Sequence, residues 1–571
     1  MNPPTPSLFT LLKPYKLLIG LLVVLTLFSN ACNLAVPKII ANAIDTYASG
    51  QLVLQSLVIQ FSIVAILIFI FTYLQSLVQV YASERVARDI RNTLAAKISV
   101  QPYAYIEHVT PEKLLTNLTS DVDALKTFVS TAIASLISSV FLIVGTSVLL
   151  LLIDWALALA VLSVVPIIAV TFFYVLRRVR KLFTESQEAV DWLNKVINES
   201  ILGAALIRLL HSKDIEYEKF LIASTEAKRV SLAILTLFAS LVPVITFLTN
   251  LATLTIVLLG GHFVIQGAMT LGSFTAFNSY LAILIFPILI IGFMSNLLAQ
   301  ATASYGRISE VLFAPEEEET GGLEVTLRGH VEVRHVGLSF GEKTVLKDVS
   351  FFVPAGSKTA IIGPTAAGKT QLLYVLTGLL PPTTGAILYD DRDISAYNKE
   401  SLHSQVGFVF QDSVIFNLSL RENIAFGATV LDIHLDKAIQ AAELGDFVQG
   451  LEQKLETMVS ERGTNLSGGQ KQRIMLARAL ALNPKILLLD DFTSRVDPKT
   501  EKKILQNIAK LYPHLTLISV TQKISSIELY DQIVLLMEGE VLAKGTHIEL
   551  LESSLEYAQI YASQRSMRQY E

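Results

Sequence analysis

The chain changes pattern past its middle. Up to Gly306 long stretches without Asp, Glu, Lys or Arg dominate, separated by charged segments; later, short apolar runs alternate with turns. Leu17–Pro37 is uncharged and mostly apolar, long enough to cross a bilayer, and Lys38 at its far end can reach the headgroups. Thr46–Ser83, with its apolar centre near Leu57–Leu74, predicts a second crossing, and Thr127–Ile153 and Trp155–Leu176 two more. Val230–Gly306 holds no Asp, Glu, Lys or Arg and is long enough for two, divided between Gly260 and Gly267. The expected first domain, residues 1–315, is therefore an α-helical polytopic membrane domain of six long transmembrane helices.

The charges between these runs orient them. Glu84–Lys126 carries Arg85, Arg88, Arg91, Lys97, Lys113 and Lys126, and Arg177–Arg229 opens with Arg177, Arg178, Arg180 and Lys181. The opposite connections, Ala41–Gly50, Asp154 and Gly260–Thr270, are short and almost free of basic residues. The positive-inside rule then places both termini and the two long segments in the cytoplasm of a multi-pass protein of the cell membrane. Within the long segments, Ser83–Val100, Ser120–Lys126, Arg177–Leu202 and Asp214–Val230 space apolar residues three and four apart. This predicts membrane helices that run on into the cytoplasm, interrupted at Pro102–Tyr105 and between Gly203 and Lys213. The amides Asn30, Asn33, Gln60, Asn250 and Asn296 fit either a cavity lining or hydrogen-bonded packing between helices.

After Pro315 an acidic run, Glu316–Glu319, and Gly321-Gly322 predict a flexible linker over residues 316–328. Val331–Phe340 alternates as a strand does, and turns follow at Gly341–Lys343 and Ala355–Ser357. Residues 329–571 mix strands with helices and predict an α/β P-loop nucleotide-binding domain. Its phosphate loop is Gly363-Pro364-Thr365-Ala366-Ala367-Gly368-Lys369-Thr370, between the apolar run Thr359–Ile362 and a helical pattern that starts at Gln371. Backbone N–H groups of such a loop close around phosphate oxygens, Lys369 reaches the β- and γ-phosphates of ATP, and Thr370 holds Mg2+. Lys485–Asp490 reads as a strand buried on both faces, with Asp490 at its carboxyl end as a further Mg2+ contact. In Asn465–Gln470, Ser467 can cap the helix that follows, and Gly468 and Gly469 leave backbone N–H groups accessible to a second phosphate contact.

Composition narrows the alternatives. Of 571 residues, 52% are hydrophobic and 17% charged, which suits a membrane protein better than a soluble one. A net charge of −5 without a basic block gives no reason to expect nucleic acid. The single cysteine, Cys32, rules out an intrachain disulfide. The apolar run after Lys16 is too long for a cleavable signal peptide.

Gly363–Thr370, Leu466–Gln470 and Ile486–Asp490, in that order after six spans, resemble an ATP-binding cassette exporter of the half-transporter kind over nearly the whole chain. The resemblance implies two cassettes meeting head to tail, with each ATP between one chain's phosphate loop and the other's Ser467, Gly468, Gly469 and Gln470. It implies that Gln411 senses Mg2+ and that Phe340 stacks on adenine, where tyrosine is more usual. Val459–Gly463 resembles a segment that touches the membrane domain, Ser494–Asp497 a loop crossing the dimer, and Gln101–Val109 and Leu209–Lys213 resemble coupling helices. The implied activity is ATP-driven export of amphiphilic small molecules or lipids by alternating access.

Two positions depart from the pattern. The family's glutamate after the strand aspartate is Asp491 here, one methylene shorter, and its switch histidine is Gln522, which lacks an imidazole. A group that orients the attacking water must lie within hydrogen-bond reach of it, so both changes weaken hydrolysis at the same site. Leu466–Gln470 is intact. These features predict the non-consensus half of a heterodimeric, multidrug-type exporter, with a second half-transporter and the lipid bilayer as partners. The alternatives are a homodimer that exports lipid or peptide with slow hydrolysis, or an ATP-gated, channel-like protein.

Overall fold

A computed structural model describes residues 8–316, 321–412, 414–427 and 430–568. Its chain forms two compact units: residues 8–100 and 109–315 make the first, and residues 101–108 with the described residues from 316 onwards make the second. Glu317–Glu319 of the expected linker lie outside the described residues.

The membrane unit is built from six helices long and apolar enough to span a bilayer: Thr10–Ala48, Leu54–Ser99, Pro111–Ile153, Trp155–Leu202, Lys213–Ile265 and Leu271–Leu312. They run from 39 to 53 residues, whereas about 20 cross the hydrocarbon layer. The surplus continues as helix, as the apolar spacing of the inner segments predicts. Asp154 ends the third span in extended conformation, and its carboxylate caps the fourth by accepting from the Leu157 N–H at 2.8 Å. The inner turn after the second span carries a short helix, Tyr103–Val109. The turn after the fourth span carries its helix at Ala204–Leu209, not at Leu209–Lys213 as expected. Gly203 ends the fourth span one residue earlier, and His211 takes a left-handed φ of 53° that reverses the chain.

Polar groups inside the bundle join helices to one another. Ser29 and Thr72 hydroxyls lie 2.9 Å apart between the first and second spans, and Asn30 donates to the Ser138 hydroxyl of the third at 2.9 Å. Asn33 and Gln60 bond within their own helices, to Ser29 and Ser56. For these three amides, hydrogen bonding within and between helices is the arrangement found. The Asp45 carboxylate accepts from the Gly272 N–H at 2.7 Å, setting an anion at the start of the sixth span. At the inner end, Asp121, 3% exposed, receives a two-pronged bond from Arg307 of the sixth span.

The second unit contains two sheets. A six-stranded one has the order β10-β9-β3-β8-β7-β6, where β3 is Lys358–Ile362, β6 Val406–Val409, β7 Ile486–Asp490, β8 Thr516–Val520, β9 Gln532–Met537 and β10 Glu540–Gly545. All but β10 pair in parallel, and β3, β7 and β8 are apolar on both faces because helices or the second sheet cover each side. The second sheet is antiparallel, β2-β1-β4-β5, with β1 at Val331–Phe340, β2 at Lys343–Val353, β4 at Thr384–Tyr389 and β5 at Arg392–Asp393. Residues 321–328, expected as flexible linker, lie against this unit. Leu323 pairs with Tyr397, and the N–H groups of Leu327 and Arg328 donate to Gln405 and Asp390.

The Asp121–Arg307 pair generates a stability prediction. Asp121→Asn leaves the guanidinium without its buried anion and should destabilise the membrane unit by about 2 kcal/mol. Thermal unfolding of the purified protein in detergent should show a lower midpoint; an unchanged midpoint would mean the pair holds nothing together.

Candidate nucleotide site

The carboxyl ends of three neighbouring parallel strands, β3, β8 and β7, open at one edge of the six-stranded sheet, the position where α/β folds gather ligands. The phosphate loop leaves β3. Gly363 sits so close to β9 that a Cβ there would lie 2.0 Å from the Leu536 carbonyl oxygen. Gly368 has φ +94°, and its Cβ would meet Leu346 Cδ2 at 2.7 Å, so neither position tolerates a side chain. Pro364, Thr365 and Ala366 are exposed, and Ala367 is buried under the loop. The loop runs into the helix Lys369–Leu376, whose first N–H groups have no carbonyl partner within the helix and face the loop.

Lys369 is buried. Its Nζ donates to the carbonyls of Gly363 at 2.9 Å and Pro364 at 2.7 Å, spanning the loop. Burial lowers its pKa, while Asp490 and Asp491 pull the other way. Asp490 ends β7 at 1% exposure. It hydrogen bonds to Thr370, and its Oδ2 has no protein partner. Burial raises its pKa, and the Thr370 bond opposes the shift. An unpaired buried carboxylate oxygen beside a hydroxyl suits a hard divalent cation. Among the described residues no cluster of three His, Cys, Asp or Glu could hold such an ion alone. Thr370 and Asp490 would hold Mg2+ jointly with phosphate oxygens and water, which is how this ion is usually bound.

Asp491 follows with φ +46°, its N–H donating to the Val520 carbonyl at 3.0 Å. Burial raises its pKa, and Lys523 and Lys369 counteract that. Gln522 lies beyond β8, exposed. Its backbone is held from a distant helix, Leu555–Arg568, by a single amide. Gln564 donates to the Gln522 carbonyl at 2.6 Å and accepts from the Ile524 N–H at 3.0 Å. Lys523 and Gln564 were not singled out from sequence. Lys523 stands beside a position that was, whereas nothing local marks Gln564, which acts across a separation of about 40 residues. Gln411 is exposed just past β6, the strand beside β7; its neighbour Asp412 is near enough to raise the Asp490 pKa. Phe340, 45% exposed, ends β1 opposite Lys343, and Val345 two residues on lies against Gly368.

Ser467, Gly468, Gly469 and Gln470 form a separate group. Ser467 caps the helix Gly468–Ala481 through a reciprocal pair: the Gln470 N–H donates to the Ser467 hydroxyl, and the Ser467 N–H donates to Gln470 Oε1 at 2.8 Å. Part of the Gln470 side chain is thus committed to the cap. A Cβ on Gly469 would lie 2.9 Å from the Arg495 carbonyl, and Gln472 bonds to the Arg495 N–H and the Ser494 hydroxyl. The structure therefore ties Leu466–Gln470 to Ser494–Asp497. Among the described residues, no hydrogen bond or ion pair joins this group to the phosphate loop of the same chain.

Residues 19–288 match the family described as ABC transporter transmembrane region, and residues 346–494 the family described as ABC transporter. The chain is 32% identical over 561 residues to the uncharacterized ABC transporter ATP-binding protein YfiB of Bacillus subtilis strain 168, covering 97% of each. It is 30% identical to the probable multidrug resistance ABC transporter ATP-binding/permease protein YheI of the same organism, covering 97% of this chain and 96% of that one. A solved structure of a bacterial Atm1-family ABC exporter with ATP bound has a TM-score of 0.79 and 24% identity, over 95% of this chain and 97% of the other, a likeness of fold.

The Asp490 environment predicts a pH-dependent effect. Because its pKa is raised in the folded state, the ionised carboxylate costs stability above that pKa, and the cost disappears as pH falls through it. Asp490→Asn should raise the thermal midpoint of the nucleotide-free protein at neutral pH by about 2–4 °C. The difference should shrink towards acid pH, and the extra stabilisation by Mg2+ and ATP should be lost. A variant that melts below the parent at neutral pH would contradict this.

Proposed function

The chain belongs to the ABC transporter family, as an exporter-type half-transporter with one cytoplasmic ATP-binding domain, and we propose that it exports amphiphilic small molecules or lipids as the non-consensus half of a heterodimer. The observation that carries this reading is the contrast within one cassette. The phosphate loop is well formed around Lys369, and Ser467–Gln470 is well capped. The two positions that would act on the attacking water are a short carboxylate, Asp491, and an exposed amide, Gln522. A displacement of order 1 Å in such a group costs on the order of 100-fold in rate.

The division of labour follows. Lys369 and the loop N–H groups hold the phosphates of ATP on this chain. Phe340 offers a ring face to the adenine, and Thr370, Asp490 and Gln411 hold Mg2+. The ion, when bound, withdraws charge from the β- and γ-phosphates. Burial raises the Asp491 pKa and Lys523 and Lys369 oppose the shift, so what sets Asp491 apart is its reach, one methylene short of the water it would orient. Ser467, Gly468 and Gly469 face the partner's phosphate loop, where a competent base completes hydrolysis, and Asp497 lies in the loop tied to them. Closure of the cassettes on ATP is carried through the inner turns, so that an inward-facing cavity reopens outward.

A second subunit is also supported by exposed apolar residues at the Ala204–Leu209 turn. Leu206, Leu209 and Leu210 are 59%, 77% and 62% exposed, an apolar patch that a cytoplasmic surface rarely leaves bare. A protein partner on this patch accounts for it.

Two measurements test the reading. Lys369→Ala should abolish labelling of this chain by a photoreactive ATP analogue; undiminished labelling would overturn the phosphate-loop assignment. Asp491→Glu combined with Gln522→His should raise ATP turnover at this chain's site by on the order of 100-fold, with smaller gains from either change alone. Full transport-coupled turnover by the unmodified chain without any partner half-transporter would establish the homodimer in place of the heterodimer.

A further inference from the structure

Between the third, fourth and sixth spans the membrane unit has a partly open cavity of ≈ 520 Å³. Its walls are apolar, from Ile143, Phe172, Phe173 and Ile288 among others, and its inner rim carries Arg177 and Arg180. Such a volume is within the range of small-molecule and lipid sites. The fourth and sixth spans meet beside it: a Cβ on Gly292 would lie 1.7 Å from the Phe172 ring, so these helices approach only because that residue is glycine. The Phe172 ring also packs edge-on against Phe293 at 5.6 Å.

The shape of the lining indicates an occupant. From Val165 to Arg180 the fourth span provides about 22 Å of wall, enough for one acyl chain of a leaflet and its headgroup. Apolar residues occupy the deep part, and both cations stand at one end. Trp155–Leu176 forms the uncharged stretch, so this end lies at the inner membrane surface. Neither guanidinium has an ion-pair partner among the described residues, and both are exposed. Arginine binds phosphate with a planar pair of donors, and two at one rim favour an anionic over a zwitterionic head.

We propose that this cavity is a binding site for an anionic membrane phospholipid drawn from the inner leaflet, with its chain along Phe172, Phe173 and Ile288 and its phosphate between Arg177 and Arg180. The site narrows the class of amphiphile that the export reading leaves broad, and it rests on that reading only for what happens after binding. The positive-inside rule alone accounts for arginines at this depth, but it requires no selectivity for a ligand's charge, and the two explanations separate there.

The test uses the full-length protein in nanodiscs without ATP. The probes are lysophosphatidylglycerol and lysophosphatidylcholine with the same tail and the same photoreactive group. The anionic probe should label peptides containing residues 165–180 and 288–295, exceeding the zwitterionic probe by on the order of tenfold. Arg177→Ala with Arg180→Ala should remove that preference, Arg177→Lys with Arg180→Lys should keep most of it, and Ser295→Leu should reduce labelling by both probes. Equal labelling by the two probes, labelling elsewhere, or an unchanged preference in a folded double-alanine variant would overturn the proposal. ATP-driven movement of the same lipid is measured separately in vesicles. Charge-selective labelling without movement would retain the site and count against export of this lipid; movement without selective labelling would retain export and remove the site.

Discussion

A hydrocarbon layer offers no partner to a backbone N–H or carbonyl, so a chain that crosses it must satisfy those groups within its own helices. That constraint shapes the first 315 residues. It requires uninterrupted helices and confines ionisable groups to their ends. It also leaves hydroxyls and amides such as Ser29, Asn30 and Thr72 to bond with one another where helices meet. Because hydrophobic burial does not distinguish a neighbouring helix from lipid, contacts between spans depend on close fit and on such bonds. Gly292 against Phe172 and Asp45 at the start of the sixth span are both of this kind.

The same constraint keeps ionisable groups out of the hydrocarbon layer, and the nucleotide site lies instead on the edge of a parallel sheet. There burial has the opposite use. Lys369, Asp490 and Asp491 are all shifted towards their neutral forms by desolvation, and each is partly restored by an opposite charge nearby. A site so arranged is unfavourable when empty and favourable when phosphate and a divalent cation complete it. The capacity to bind nucleotide and cation is therefore built into the cassette before either arrives.

The site has two halves with different dependence on the rest of the fold. The phosphate loop is shaped by contacts to β9 and β2, through Gly363 and Gly368. Ser467–Gln470 is shaped by its own helix cap and by the Ser494–Arg495 backbone. One half can therefore be altered without disturbing the other.

Much of this was legible in the order of residues. Long uncharged runs identify spans because the bilayer penalises charge wherever it occurs, whatever the neighbours. The strand–loop–helix around Gly363–Thr370 is local, as are the caps at Asp154 and Ser467, so each follows from a few consecutive side chains. The break at Gly203 is legible in the sequence, but the short helix of the second inner turn lies at Ala204–Leu209, at the start of the Gly203–Lys213 interruption, because six residues are too few for a periodic pattern to show. Residues 321–328 read as linker because their composition is that of one, while their anchors Asp390, Tyr397 and Gln405 lie more than 60 residues away. Gln564 bracing Gln522, Arg307 reaching Asp121 and the cavity behind Arg177 belong to tertiary structure alone. Each depends on which faces of distant helices meet, and packing decides that.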